Sequence, residues 1–303
     1  WINLWPKTTG AFSRIIKHHV AHSASESVSA APGARVVAIS SGKGGVGKTN
    51  LTVNLALALA ELGKKVIIFD ADLGLANAQV LLGVAPALSM YDCLYGGRSI
   101  EEVIYPVTRG IWLVSGGSGI VELANLDQER RQHLVRAIDY LESAADYLLL
   151  DTGAGISKEV LGFVAAAREV IIVLTPEPTS LTDAYSLIKI IDRFHLHNQV
   201  YIVVNRAQDQ NEARQTVARL EKVINQFLTL KTLPLGFVLD DRTVGRAVKQ
   251  QKPVYLLAPQ SSAAICFKEI AARLDGQKTG QLDMPVLERG AGGFVRKLLR
   301  LFG

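Results

Sequence analysis

The chain has 303 residues, 49% of them hydrophobic and 20% charged, the balance of a globular α/β protein large enough for one sizeable domain. No run of about 18 apolar residues occurs, which excludes a simple membrane-spanning helix, and the start lacks the apolar stretch of a secretory signal. The net charge of +5 sits in the tails: residues 1–34 hold three Lys/Arg against one Glu, residues 276–303 hold five against two acids, and 35–275 is neutral, which argues against a broad basic face for nucleic acid.

In chain order, Ala24 to Ala34 (ASESVSAAPGA) is small, polar and Pro/Gly-bearing and reads as the end of a flexible segment, 1–34. From Arg35 the sequence alternates short apolar runs with helical periodicity. Strands are expected at 35–40, 65–70, 111–114, 147–151, 170–174, 200–204 and 235–238. Helices are expected near 48–62, 128–143, 156–166, 180–193, 212–227, 241–249 and 261–274. Continuous apolar strands separated by helices imply a three-layer α/β domain over 35–275, with a mostly parallel sheet covered on both faces. In such folds ligands bind beyond the carboxyl ends of the strands. Residues 276–292 read as a linker. In 293–303 the apolar Phe294, Val295, Leu298, Leu299, Leu301 and Phe302 fall within an arc of about 160°, with Arg296, Lys297 and Arg300 on the other side. That pattern is a basic amphipathic helix suited to an anionic membrane surface.

The chemistry begins at the first strand's end. Gly42 to Thr49 (GKGGVGKT) fits G-x-x-x-x-G-K-[ST], a phosphate-binding loop between a strand and a helix. Gly42, Gly44, Gly45 and Gly47 let backbone N–H groups, Val46 included, converge on a polyphosphate, and the helix N-terminus, with Asn50 in its first turn, adds its dipole. Lys48 is expected to reach the β/γ-phosphates and the Thr49 hydroxyl to complete a Mg²⁺ site. A second lysine, Lys43, has no evident role toward the chain's own phosphates. Asp70 and Asp72 close the strand KVIIFD, and Asp151 closes YLLLD before Thr152-Gly153-Ala154-Gly155. Carboxylates there can hold Mg²⁺ through water or orient an attacking water, although each alone could cap the next helix. Asn205-Arg206 follows the strand VYIVV, where an amide can read an adenine edge or simply make a turn. Neither the six histidines nor Cys93 and Cys266 stand at metal-ligand spacing, so Mg²⁺ is the one metal implied. The two cysteines read as reduced core thiols of a cytosolic protein.

KGGVGKT (Lys43 to Thr49), DADLGLAN (Asp70 to Asn77) and DTGAGI (Asp151 to Ile156) together resemble the MinD/ParA group of deviant-Walker-A ATPases. Within that group KTNLTVNLA, DADLGLANAQVLLG, GGSGIVELANL (Gly116 to Leu126) and TPEPTSLTDAYSLIK (Thr175 to Lys189) are similar to the FlhG (FleN, YlxH) regulators of flagellar number. The resemblance implies a slow ATPase, stimulated by a partner or membrane, that uses ATP and Mg²⁺ and pairs face to face as an ATP-bound homodimer. It implies that Lys43 reaches the partner's nucleotide, Lys48 holds phosphate, and Thr49 coordinates Mg²⁺ with Asp70 and Asp151 supporting the metal shell. Asp72 would orient the attacking water, and Asn205, Arg206 and Asp241 would lie against the adenine. Leu239 stands where such proteins usually have Pro, and TGAFSRIIKHHV lacks the N-terminal DQAxxLR motif of some FlhG proteins. The implied partners are an anionic membrane, an FlhF-type GTPase and flagellar switch proteins, with no direct nucleic acid. The implied place is the cytoplasm and, reversibly, the inner face of the cell membrane. A MinD-like division-site regulator and a ParA-like DNA partition ATPase are the other readings. A nitrogenase-type reductase lacks its cysteine in 151–160, and a cobyrinate-type amidase lacks its glutaminase domain.

Overall fold

The computed structural model describes residues 33–72, 77–117 and 127–277. Eight strands form one sheet: β1 (Arg35–Ser41), β2 (Val66–Ala71), β3 (Tyr105–Thr108), β4 (Ile111–Ser115), β5 (Tyr147–Ala154), β6 (Glu169–Leu174), β7 (Gln199–Ala207) and β8 (Lys231–Leu239). Their order is β3-β4-β2-β5-β1-β6-β7-β8, parallel throughout except for the β3–β4 pair. The seven strands read from apolar runs are all present. β3 was not expected, because Tyr-Pro-Val-Thr alternates half-buried with exposed and carries a proline that only an edge position tolerates.

Helices α1 (Lys48–Glu61), α2 (Asn77–Leu82), α9 (Arg242–Lys249), α10 (Val254–Leu257) and α11 (Ser262–Leu274) cover one face. Leu51, Leu55, Leu59, Phe267 and Ile270 pack there on Val37, Ile39, Ile68 and Leu149. The other face is covered by α3 (Met90–Tyr95), α4 (Ile100–Val103), α5 (Gln128–Ala144), α6 (Lys158–Ala166), α7 (Pro178–Arg193) and α8 (Gln210–Phe227). α2, α3, α4 and α10 are four to six residues long, too short for helical periodicity to register. They are set by tertiary contact and, at Ser89 and Ser99, by capping boxes with Asp92 and Glu102.

From β1 the chain crosses through α1 to β2, and from β5 it crosses through α6 on the opposite face to β6. The reversal opens a crevice at the carboxyl ends of β1 and β5. The amphipathic helix expected over 293–303, the segment 1–32, Leu73 to Ala76 and residues 118–126 of the GGSGIVELANL motif lie outside the described residues.

Candidate functional site

Strand parity decides which side chains share the crevice. Ile39 pairs with Asp151, and Asp151 with Asp70, in adjacent parallel strands. Ile68 and Leu149 stand two residues earlier on the α1 face, so both carboxylates point toward α1. Both are buried, at 1% and 0% exposure. Burial above all, and for Asp70 the neighbouring Asp151 charge, pushes Asp70 up to about 7; burial pushes Asp151 up to about 6 despite hydrogen bonds from Thr49 and Thr52 and the charge of Lys48. Lys48 is itself buried, and desolvation lowers its pKa while Asp151 and Asp72 oppose that shift.

The two aspartates are used differently. Asp70 Oδ2 accepts from Ala78 N at 3.0 Å and Oδ1 from Asp72 N at 3.3 Å, so its carboxylate ties Asp72, just past β2, and the start of α2 to the strand end. Asp151 Oδ1 accepts from Thr52 Oγ1 at 3.1 Å, whereas its buried Oδ2 has no hydrogen-bond partner among the described residues. A buried carboxylate oxygen without a donor costs free energy unless a cation or proton meets it. With the Thr49 hydroxyl beside it, Asp151 offers the oxygen set that suits Mg²⁺. The residues present therefore fit a nucleotide–Mg²⁺ complex.

The loop is held by its neighbours. A Cβ on Gly42 would stand 2.1 Å from Asp183 O, and one on Gly47, whose φ is 94°, would stand 2.2 Å from Asn205 Nδ2. At Gly44 and Gly45, by contrast, open space surrounds the backbone, where phosphate oxygens can approach its N–H groups. Asn205 donates to Val46 O at 2.7 Å, so its amide anchors the loop to the end of β7; Arg206 beside it is exposed with φ 58°. Asp241 caps α9 through Thr243 N (2.8 Å) and accepts from Ser262 Oγ (2.9 Å) and Ala263 N (3.3 Å) at the start of α11. Burial raises its pKa, but these bonds outweigh that and hold it low. Asn205 and Asp241, two of the three side chains implied to lie against adenine, thus also tie elements together.

Lys43 also has contacts within its own chain: Nζ donates to Thr179 Oγ1 at 3.0 Å and lies 3.7 Å from Glu177 Oε2, at the start of α7. Thr52, Thr179 and Glu177 were not singled out from the sequence. Thr52 sits one α-helical turn beyond Lys48, a spacing that aligns two polar residues on one helix face, and could have been found that way. The pairing of Thr179 with Lys43 spans 136 positions and has no local signal.

Known proteins share this architecture. The model of an AAA domain family matches residues 34–204. The chain is 41% identical to the antiactivator FleN of Pseudomonas aeruginosa over 241 residues, covering 80% of this chain and 86% of FleN. It is 34% identical to the flagellum site-determining protein YlxH of Helicobacter pylori, covering 89% and 91% of the two chains. The MinD cell division protein of Aquifex aeolicus superposes with a TM-score of 0.65 at 29% identity, over 82% of this chain and all of that one. MinD of Pyrococcus horikoshii, solved with Mg-ADP, gives 0.64 at 25% identity, over 80% of this chain and 96% of that one.

Proposed function

The chain belongs to the MinD/ParA group of P-loop ATPases, and we propose that it works there as an FlhG-type switch, pairing and binding membrane when loaded with ATP and Mg²⁺ to set flagellar number and placement. The observation that carries the nucleotide part is the buried Asp151 Oδ2, without a hydrogen-bond partner among the described residues, at the crevice beside Lys48 and Thr49. Similarity to FleN and YlxH at 41% and 34% identity, over most of each chain, supports the flagellar role over the division-site and DNA-partition alternatives.

Bound Mg²⁺–ATP supplies a phosphoanhydride and a cation that polarises it. Gly42 to Thr49 wrap the phosphates with backbone N–H groups, Lys48 neutralises them, and the Thr49 hydroxyl and Asp151 hold the metal shell. Asp70 holds the Asp72 and Ala78 amides, which leaves the Asp72 carboxylate to orient the attacking water. Lys43 exchanges its contacts with Thr179 and Glu177 for the nucleotide of a second subunit, so ATP binding becomes dimerisation. Among the described residues no helix is long and apolar enough to cross a membrane. The peripheral attachment we assign to 294–302 would come from two weak anchors brought together by the dimer. An FlhF-type GTPase and flagellar switch proteins are the partners of this reading, and the inner face of the cell membrane is its place.

Vesicle co-sedimentation with ATP or ADP tests the switch, using wild type, Lys43→Ala, Asp72→Ala and a chain ending at Gly293. Wild type should sediment with ATP alone. Lys43→Ala should bind ATP yet stay monomeric and soluble, Asp72→Ala should stay on vesicles while hydrolysing about 10²-fold more slowly, and the truncated chain should not sediment. Equal sedimentation in ADP and ATP would sink the switch mechanism.

A further inference from the structure

We propose that the exposed surface of α9, α10 and α11 lies directly on an anionic phospholipid bilayer, a second membrane contact besides the C-terminal segment. The proposal rests on the membrane reading above and names the face of the folded domain that meets the lipid.

Arg242, Arg246, Lys249 and Lys252 are all exposed. At 100° per residue the first three fall within an arc of about 60°, in a stripe about 10 Å long. Among the described residues no carboxylate comes within 4.0 Å of any of the four, and the one side-chain partner in the stripe is neutral, Thr243 Oγ1 at 3.3 Å from Arg246 Nη2. Asp241 is spent inward on Thr243, Ser262 and Ala263. Some exposed cations elsewhere pair with acids, Arg98 with Glu102, Arg130 with Asp127 and Lys268 with Glu61, and others, such as Arg109 and Lys231, pair with none among the described residues; the stripe stands apart in gathering three on one face of one helix. The stripe is charge left open to solvent.

The neighbouring helices expose apolar side chains: Leu256 on α10 and Ile265 on α11 are 59% and 45% exposed, and α10 packs against both α9 and α11. Isolated exposed apolar residues are ordinary; beside unpaired cations they make the mixture that settles into a headgroup layer. α8 provides the contrast. It exposes Val223 and Phe227, but its cations Arg214, Arg219 and Lys222 alternate with Glu212 and Glu221, so anionic lipid gains little there.

The chain's path agrees with this choice. The sequence continues from α11, which ends at Leu274, to the residues that carry the amphipathic pattern. The intervening 276–292 spans at most about 60 Å, enough for 294–302 to lie beside this face. Nucleic acid fits less well: a stripe about 10 Å long on a domain of zero net charge engages few phosphates, and Leu256 and Ile265 offer a phosphate backbone nothing.

The test is sedimentation of the full chain with ATP on phosphatidylcholine vesicles with and without phosphatidylserine. The variants are Arg242→Gln/Arg246→Gln/Lys249→Gln and Leu256→Ser/Ile265→Ser, with thermal melting as the control for folding. At about 1 kcal/mol per basic residue near an anionic surface, the triple variant should bind the serine-containing vesicles about 10–100-fold more weakly and lose much of its salt dependence. The apolar pair should weaken binding severalfold on both vesicle types. Unchanged binding by both variants, with wild type bound and the Gly293 truncation released, would overturn this surface and leave the C-terminal anchor standing. A wild type that fails to bind in ATP would overturn both. Loss of duplex DNA binding by the triple variant, measured by fluorescence anisotropy, with vesicle binding intact, would assign the stripe to nucleic acid instead.

Discussion

The two ends of the same strands treat buried charge in opposite ways. At the amino ends, Arg35 opens β1 and donates to Glu169 at 2.9 and 2.7 Å, to Tyr147 OH at 2.8 Å and to Leu274 O at 2.5 Å. Tyr147 OH in turn donates to Asp275 at 2.9 Å, and Lys64 stands 3.0 Å from the same carboxylate. Burial alone would lower the Arg35 pKa, yet the bond and charge of Glu169 carry it above its ordinary value; burial pushes Tyr201 up to about 12. At the carboxyl ends, Asp70 and Asp151 are more deeply buried, but they repel each other and one oxygen has no partner among the described residues. A buried charge whose partners are built into the chain holds the fold together. A buried charge left short of partners is held ready for something the chain does not supply.

The comparison can be broken most severely at the amino edge. Arg35→Ala leaves the Glu169 carboxylate buried and unpaired and removes two further bonds, so we expect a loss of about 3–5 kcal/mol. The melting point should fall by roughly 10 °C or more, while the folded fraction keeps its affinity for ATP. An unchanged melting point would mean that the network is ornamental.

Next in size, Lys48→Ala should weaken ATP binding by about 10²-fold or more, since it deletes a buried cation hydrogen-bonded to phosphate. In the absence of nucleotide the same change should cost little stability, because desolvation already works against that charge. Isothermal titration and melting of the apo protein separate the two.

Asp151→Asn should move stability the other way. Removing a charge with an unpartnered oxygen should raise the apo melting point by a few degrees while hydrolysis collapses. A large destabilisation would place Asp151 with the structural charges of the opposite edge.

The smallest effect concerns Glu142, near the end of α5. Burial, then the Asp139 charge, pushes it from 4.5 up to about 7, and its Oε1 has no partner among the described residues. The folded state therefore holds this proton more tightly than the unfolded chain. That contribution to stability is present below about pH 4.5 and is lost as pH rises through about 7. Glu142→Gln should raise the melting point slightly at pH 8 and not at pH 4.5; an equal change at both would remove titration as the cause.

Much of this was legible in the sequence because it is local. GKGGVGKT fixes a strand, a turn and a helix start within a dozen residues, and apolar runs such as VIIFDA and YLLLD between helical patterns read as buried parallel strands. Tail charge, the amphipathic pattern and the position of every aspartate at a strand end follow in the same way. What only tertiary structure decided is long-range and depends on which side chains a register brings together. Asp70 faces Asp151 because β5 inserts between β2 and β1. Lys43 finds Thr179, Asn205 reaches Val46, and Arg35 meets Leu274 across 136, 159 and 239 positions. Each contact is selected by packing after the sheet has formed, so no pattern of neighbours along the chain encodes it, and the same holds for the short helices that such contacts alone stabilise.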